Sequence, residues 1–108
     1  MTVFLAVTLV LALVCASAAA QDGEPRFSPE QITKGAALFA RHCATCHGTR
    51  MRNPQWAIKL REFPRNARGR FVDSVANGKR NMPPWDDVLD TDEIEALWAY
   101  VSEGEPGE

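Results

Sequence analysis

The stretch His42-Cys43-Ala44-Thr45-Cys46-His47 decides how this chain is interpreted, because two cysteines separated by two residues are followed directly by a histidine. Both histidines of the chain lie in this stretch, and the third cysteine, Cys15, lies in an apolar N-terminal run. A small exported domain stabilised by disulfides normally carries four or more cysteines. The spacing of Cys43 and Cys46 therefore indicates that these thiols serve something other than a structural disulfide.

The pattern Cys-x-x-Cys-His is typical of covalent haem attachment. Two thiols at this spacing can each bond one vinyl group of the same porphyrin, and the adjacent imidazole then lies over the iron. We therefore expect one covalent haem c, attached at Cys43 and Cys46 and ligated by His47. A thioredoxin-like site would need a β-α-β context, which is absent here, and a zinc site usually joins two separated pairs of ligands. A chance match to so short a pattern is the remaining alternative.

Met51 and Met82 are the candidate sulfur ligands for the second axial position of the iron. Met51 follows His47 by only four residues, and an extended chain covers at most about 3.6 Å per residue, too little to round the porphyrin edge comfortably. Met82 has ample reach, and the rigid Pro83-Pro84 behind it would hold its side chain still. Met82 is therefore predicted to be the sixth ligand, although a single methionine more often fills a core.

Other polar and aromatic side chains near the motif have open roles. The carbonyl of Pro54 is expected to accept the second ring N–H of His47, because ligated imidazoles usually donate to a carbonyl. His42 is expected to be a surface residue at the end of the first helix. Trp56 and Trp85 can either donate to a haem propionate or simply pack against the ring.

Apolar residues at helical spacing predict an all-α protein with three main helices, and no strand-like alternation of useful length occurs. The first helix is expected to begin at Ser28-Pro29, where serine caps free N–H groups and proline suits the first turn, and to run toward Cys43. The apolar stripe within Phe71–Ala76 indicates a second helix, with Gly78 as its C-terminal stop.

The last helix is expected to begin beside Asp90, which forms a capping box with Glu93, and to end near Gly104. Between the first and second helices, residues 49–67 are expected to be irregular, with a short helical turn over residues 56–60. The last main helix is therefore expected to be the final element of the domain.

The N-terminal run has the character of a secretory signal peptide, because Val3–Val14 is apolar except for Thr8 and small residues up to Ala20 follow it. The alternative is an uncleaved membrane anchor, since the run approaches the ~20 apolar residues that span a bilayer. The expected organisation is a signal peptide at 1–20 cleaved after Ala20, a flexible start at 21–27, one domain at 28–104 and a flexible tail at 105–108. The chain is thus expected in the periplasm.

The formal net charge of −2 is too small to indicate nucleic-acid binding, but the charges are separated along the chain. Residues 34–80 hold eleven basic and two acidic residues, whereas residues 86–108 hold nine acidic residues and no basic one. This asymmetry can orient the protein on a charged partner, or both runs can be ordinary solvated surface.

Residues 28–104 resemble a class I cytochrome c. Gly35 and Phe39 in the first helix, with Leu97-Trp98-Ala99-Tyr100 in the last, resemble the crossing of the terminal helices in that family. A glycine lets the two axes approach, and aromatic side chains fill the contact. The segment from Phe71 to Trp85 is similar to small periplasmic cytochromes and cytochrome domains that accept electrons from pyrroloquinoline-quinone-dependent alcohol dehydrogenases. The resemblance implies three helices wrapped around one haem.

Occupation of both axial positions limits the iron to electron exchange, and His/Met ligation raises its reduction potential relative to two imidazoles. We therefore expect a soluble, monomeric electron carrier and not an enzyme, with a periplasmic dehydrogenase as donor and an oxidase or another cytochrome as acceptor. The alternative is a haem-based sensor with a displaceable sixth ligand. Some of the basic residues are expected to ring the haem edge and steer docking onto an acidic partner face: Arg41, Arg50, Arg52, Lys79 and Arg80.

Overall fold

The structure, a computed structural model, describes residues 26–54 and 56–107. Within these ranges it contains α-helices and no β-strand, so the predicted all-α class is confirmed. The helices are α1 Pro29–His42, α2 Ala44–His47, α3 Arg68–Asn77 and α4 Thr91–Glu103. Two short 3-10 turns, Thr49–Met51 and Leu60–Glu62, lie in the irregular segment between α2 and α3.

The helix boundaries follow the capping signals in the sequence. The hydroxyl oxygen of Ser28 accepts a hydrogen bond from the backbone N–H of Gln31 at 3.1 Å, which caps α1. The Asp90 carboxylate accepts from the backbone N–H of Glu93 at 2.8 Å, and the Glu93 carboxylate accepts from that of Asp90 at 3.1 Å. Gly78 follows α3 with a φ of 77°, a left-handed conformation that suits glycine. These predicted starts and stops are confirmed.

The first helix ends at His42, directly before Cys43 as predicted, and Cys43 (φ −114°, ψ −28°) separates it from α2. One local prediction was wrong. The short turn expected over residues 56–60 instead occupies Leu60–Glu62. Leu60 is buried in the core, whereas Trp56 is 62% exposed, so tertiary packing placed the turn at the residue that could be buried.

The terminal helices α1 and α4 cross at Gly35. A Cβ atom at Gly35 would overlap the carbonyl oxygen of Ala96 and lie 2.8 Å from Cβ of Tyr100. The absence of that atom lets the two backbones touch, and the Phe39 and Tyr100 rings fill the space beside them with centroids 5.3 Å apart. The predicted crossing is confirmed.

An aromatic cluster joins α3 to α4. The Phe71 ring of α3 lies 5.2 Å from the Trp98 ring of α4, measured between centroids. Phe63, from the segment before α3, meets Phe71 edge-on at 5.8 Å and Trp98 edge-on at 6.1 Å. Edge-to-face rings at these separations are a favourable aromatic arrangement. The cluster fixes the position of α3, and with it the segment that follows α3.

No helix in residues 26–54 and 56–107 has both the length and the apolar character needed to cross a membrane. The predicted signal peptide at residues 1–20 lies outside the described residues, as does most of the predicted flexible start at 21–27.

Candidate functional site

The donor groups of the motif come together because Cys43 and α2 form one helical turn. The backbone N–H groups of Cys46 and His47 both donate to the carbonyl oxygen of Cys43, at 3.2 Å and 3.0 Å. Positions separated by three and four residues lie on the same face of a helix. The two thiols are free and half-buried, so both cysteines and the imidazole are available on one side of the chain.

The Cys43 thiol lies in an environment that disfavours its charged form. Burial, and secondarily the neighbouring Cys46, raises the pKa of Cys43 to about 11, so at neutral pH it is a protonated thiol. Within the described residues, no three His, Cys, Asp or Glu side chains converge to hold a metal ion directly. The donor set therefore does not suit a metal bound by side chains alone.

The imidazole of His47 is oriented by a backbone carbonyl. Its Nδ1 lies 3.2 Å from the carbonyl oxygen of Ile58. A carbonyl can only accept, so Nδ1 carries the proton and Nε2 keeps its lone pair. Burial lowers the pKa of His47 below 6.5, against a smaller opposing effect of this hydrogen bond, and so favours the neutral ring. The prediction that Pro54 supplies the carbonyl was wrong, because the loop brings Ile58 behind the ring instead.

That loop has an unusual backbone. Arg50, Met51 and Asn53 have φ values of 56°, 59° and 51°, which non-glycine residues seldom adopt. The Arg61 guanidinium donates two hydrogen bonds to the carbonyl oxygen of Arg50, at 3.1 Å and 2.9 Å. Met51 is buried in the core at 2% exposure. The strained turn is therefore held at two adjacent residues, by the buried side chain of Met51 and by the Arg61 guanidinium on the Arg50 carbonyl oxygen.

The segment that carries Met82 is fixed against the end of α3. The backbone groups of Lys79 and Met82 exchange two hydrogen bonds of 3.0 Å, which close a tight turn. A Cβ atom at Gly78 would lie 2.8 Å from the Met82 carbonyl oxygen, so the segment packs directly on this glycine. The backbone N–H of Trp85 donates to the carbonyl oxygen of Val75 at 2.9 Å. Met82 is half-buried at the edge of the core.

His42 is a contact residue and not the surface residue that the sequence led us to expect. It is half-buried, and its ring centroid lies 5.3 Å from that of Trp85, with the planes tilted by 58°. This contact joins the residue before Cys43 to the segment that carries Met82. No sequence signal pointed to it, because the two residues are far apart in the chain.

The residues present fit a covalently tethered haem. Two free thiols three positions apart lie on one helical turn beside an imidazole with an available Nε2, and the thioether of Met82 lies at the edge of the core. The side chain of Ile58, whose carbonyl oxygen contacts the imidazole, is 61% exposed, and that of Trp56, two residues earlier in the chain, is 62% exposed. A large apolar group covering this region would remove that exposure.

Comparison with known proteins decides the family. Residues 30–101 match the sequence family described as "Cytochrome C oxidase, cbb3-type, subunit III". The chain is 35% identical over 77 residues to cytochrome c6 of Chlorolobion braunii, which covers 65% of this chain and 86% of that protein. The chain belongs to the cytochrome c family. It is an electron-transfer protein whose cofactor is one covalently attached haem c, as the sequence predicted.

Two further similarities relate this cytochrome to proteins of different sizes. The crystal structure of cytochrome cL from Methylophaga aminisulfidivorans superimposes with a TM-score of 0.62 at 28% identity, over 70% of this cytochrome and 54% of that chain. This cytochrome thus spans about half of that structure. It is also 31% identical, over 68% of its length, to 11% of the quinohemoprotein alcohol dehydrogenase ADH IIB of Pseudomonas putida. The predicted class I fold is confirmed by the structural likeness to cytochrome cL.

Sequence reasoning missed Ile58, Arg61 and the contact role of His42. Ile58 acts through its backbone carbonyl, which every residue type has, so its identity carries no signal. Arg61 is one of many basic residues between positions 34 and 80, and nothing in the sequence separates it from the others. Loop length was the only available clue to the partner of His47, and it favoured Pro54.

Proposed function

We propose that Cys43 and Cys46 form the two thioethers of the haem and that His47 and Met82 are its axial ligands. The observation that carries the proposal is the hydrogen bond from His47 to the Ile58 carbonyl oxygen at 3.2 Å, because it leaves Nε2 unprotonated beside two free thiols. The haem supplies a one-electron couple when bound. The residues of the chain hold and orient the two axial ligands.

The choice of Met82 over Met51 rests on their different surroundings. Met51 is 2% exposed and packs in the protein core. Core packing therefore explains this methionine without a role as an iron ligand. Met82 is half-buried at the edge of that core, on a turn closed by two hydrogen bonds and followed by two prolines. A rigid backbone next to the ligand lowers the cost of keeping it on the metal.

The protein residues have three tasks in this proposal. The Ile58 carbonyl fixes the tautomer and orientation of His47 and increases its basicity as a ligand. The turn after Gly78 presents Met82. Apolar side chains such as Phe63 and Val72 pack at the edge of the core and limit the access of water to the haem site. Because both ligands stay in place in both oxidation states, an electron can move with little rearrangement.

For the biological setting, we propose an exported periplasmic carrier, with residues 1–20 removed as a signal peptide after Ala20. The donor is a dehydrogenase, and the acceptor is an oxidase or another cytochrome. The similarity to part of a quinohemoprotein alcohol dehydrogenase supports a donor of that class. The excess of basic residues between positions 34 and 80 supports docking on an acidic face, so association should slow as salt is added.

The test compares Met82→Ala with Met51→Ala in the purified holoprotein. Met82→Ala is expected to lose the far-red sulfur-to-iron absorption band, to lower the reduction potential and to bind carbon monoxide readily. Met51→Ala is expected to keep the band while the free energy of unfolding falls by about 2–5 kcal/mol, because a buried side chain is removed. An unchanged spectrum in Met82→Ala would show that the ligand is another residue. Rapid carbon monoxide binding by the native ferrous protein would favour the sensor alternative.

A further inference from the structure

The contact between His42 and Trp85 joins two segments that the proposed ligation places on opposite sides of the haem. His42 is the last residue of α1 and directly precedes Cys43. Its ring lies 5.3 Å from the Trp85 ring, centroid to centroid, and both residues are half-buried. Rings at this separation and tilt attract each other beyond their simple burial.

The Trp85 backbone is itself fixed on the side of α3. Its N–H donates to the Val75 carbonyl oxygen at 2.9 Å, and the N–H of Asp86 donates to the Ala76 carbonyl oxygen at 3.3 Å. The segment that follows Met82 is therefore held by α3 through its backbone and by α1 through the Trp85 side chain. Only the α1 contact depends on the chemistry of a particular side chain at position 42.

Pro83 and Pro84 connect Met82 rigidly to Trp85. Each proline has a fixed φ, which restricts the backbone conformations that can separate Trp85 from Met82. A thioether at Cys43 would place the edge of the haem beside the His42 end of α1, and ligation by Met82 would place the Met82 segment on the face opposite His47. A contact between these two segments would then lie beside the haem edge.

We propose that His42 is a positioning residue for the sixth ligand. Its ring packs on Trp85 and so joins the Cys43 end of α1 to the Met82 segment beside the haem edge. This contact keeps the Met82 sulfur on the iron. This inference rests on the proposed His47/Met82 ligation and adds to it a residue that does not touch the iron. His42 is only half-buried, so its role can be separated from general core stability.

The experiment measures the rate at which potassium cyanide displaces Met82 from the ferric holoprotein, followed by the loss of the far-red sulfur-to-iron band. His42→Ala is expected to increase this rate by about threefold to tenfold, the range that corresponds to the loss of one aromatic pair. His42→Phe keeps a ring at the contact and is expected to restore the wild-type rate. Thr33→Ala, at an exposed position of the same helix, is the matched control and should change nothing.

Trp85→Ala provides a second route to the same conclusion. If the two rings act as a pair, the double variant His42→Ala/Trp85→Ala should bind cyanide no faster than the faster single variant. A His42→Ala protein with a wild-type cyanide rate and an unchanged band would overturn the positioning role. A wild-type protein that lacks the band would overturn the ligation itself, and that failure is visible before any variant is made.

Discussion

The two halves of this cytochrome differ in how completely their side chains are buried. In the terminal-helix crossing, formed by α1 and α4, the side chains of Trp98, Tyr100, Phe39 and Leu97 are each less than 2% exposed. In the loop half, formed by residues 48–67 and 78–90, Met82 and Trp85 are only half-buried and Trp56 is largely exposed. Protein side chains fill the crossing, whereas the loop half is less completely buried. We expect the covalent haem to cover the loop half and so to complete the fold.

The largest expected effect comes from removing the group that completes the loop half. The variant Cys43→Ala/Cys46→Ala should lack covalent haem and have little fixed tertiary structure, because a domain of this size with an uncovered loop half buries too little apolar surface. Absorption spectra and urea unfolding test this. Thr45→Ala, at the exposed position between the cysteines, should stay coloured and fold normally. A cooperative, native-like transition in the double variant would show that the comparison is wrong.

The next effect tests the crossing itself. Gly35→Ala puts a methyl group against the carbonyl oxygen of Ala96, and the two backbones have no room to accept it without moving apart. We expect the free energy of unfolding to fall by about 2–3 kcal/mol, as is typical of overpacked cores. Gly69→Ala in α3 is the matched control, because nothing lies within 4 Å of the added Cβ. It should stabilise the protein slightly, by about 0.5–1 kcal/mol.

A smaller effect is expected where the loop half enters the crossing. Asp90→Ala removes the side chain that accepts the Glu93 backbone N–H at 2.8 Å. The loss of such a cap typically costs about 1 kcal/mol of unfolding free energy. Thermal unfolding of the holoprotein measures it, with Asp92→Ala as the control in the same turn. Equal losses in the two variants would mean that charge near the helix end matters, and not the cap.

The smallest effect should be confined to the loop half. Arg61→Ala removes two hydrogen bonds to the Arg50 carbonyl oxygen, but the side chain is exposed and solvent replaces part of the loss. We expect the free energy of global unfolding to fall by less than about 1 kcal/mol. Amide hydrogen exchange should nevertheless accelerate across residues 49–62 and stay unchanged in α1 and α4. Arg65→Ala, also exposed, should leave both regions alone, and acceleration in α4 would contradict the division into halves.

The helix ends and the crossing were predictable because their causes are local or paired by type. Ser28, Asp90 and Gly78 act within one turn of their own position, and such rules can be applied without knowing the fold. Gly35 and Phe39 were recognised together with the aromatic residues of α4 because their pattern resembles a known family. The loop that supports His47 offered no comparable rule, since its left-handed residues include an arginine and a methionine.

The sequence by itself determined the chemistry of this protein. Two thiols and an imidazole at one spacing select a tethered haem, and apolar periodicity with capping residues selects an all-α fold, because both depend on short separations along the chain. Only the tertiary structure decided that Ile58 supports His47, that Met51 is core while Met82 lies at its edge, and that His42 meets Trp85. Those contacts join residues that are separated by long loops. The course of each loop depends on how the whole chain buries its apolar side chains, and no local preference determines it.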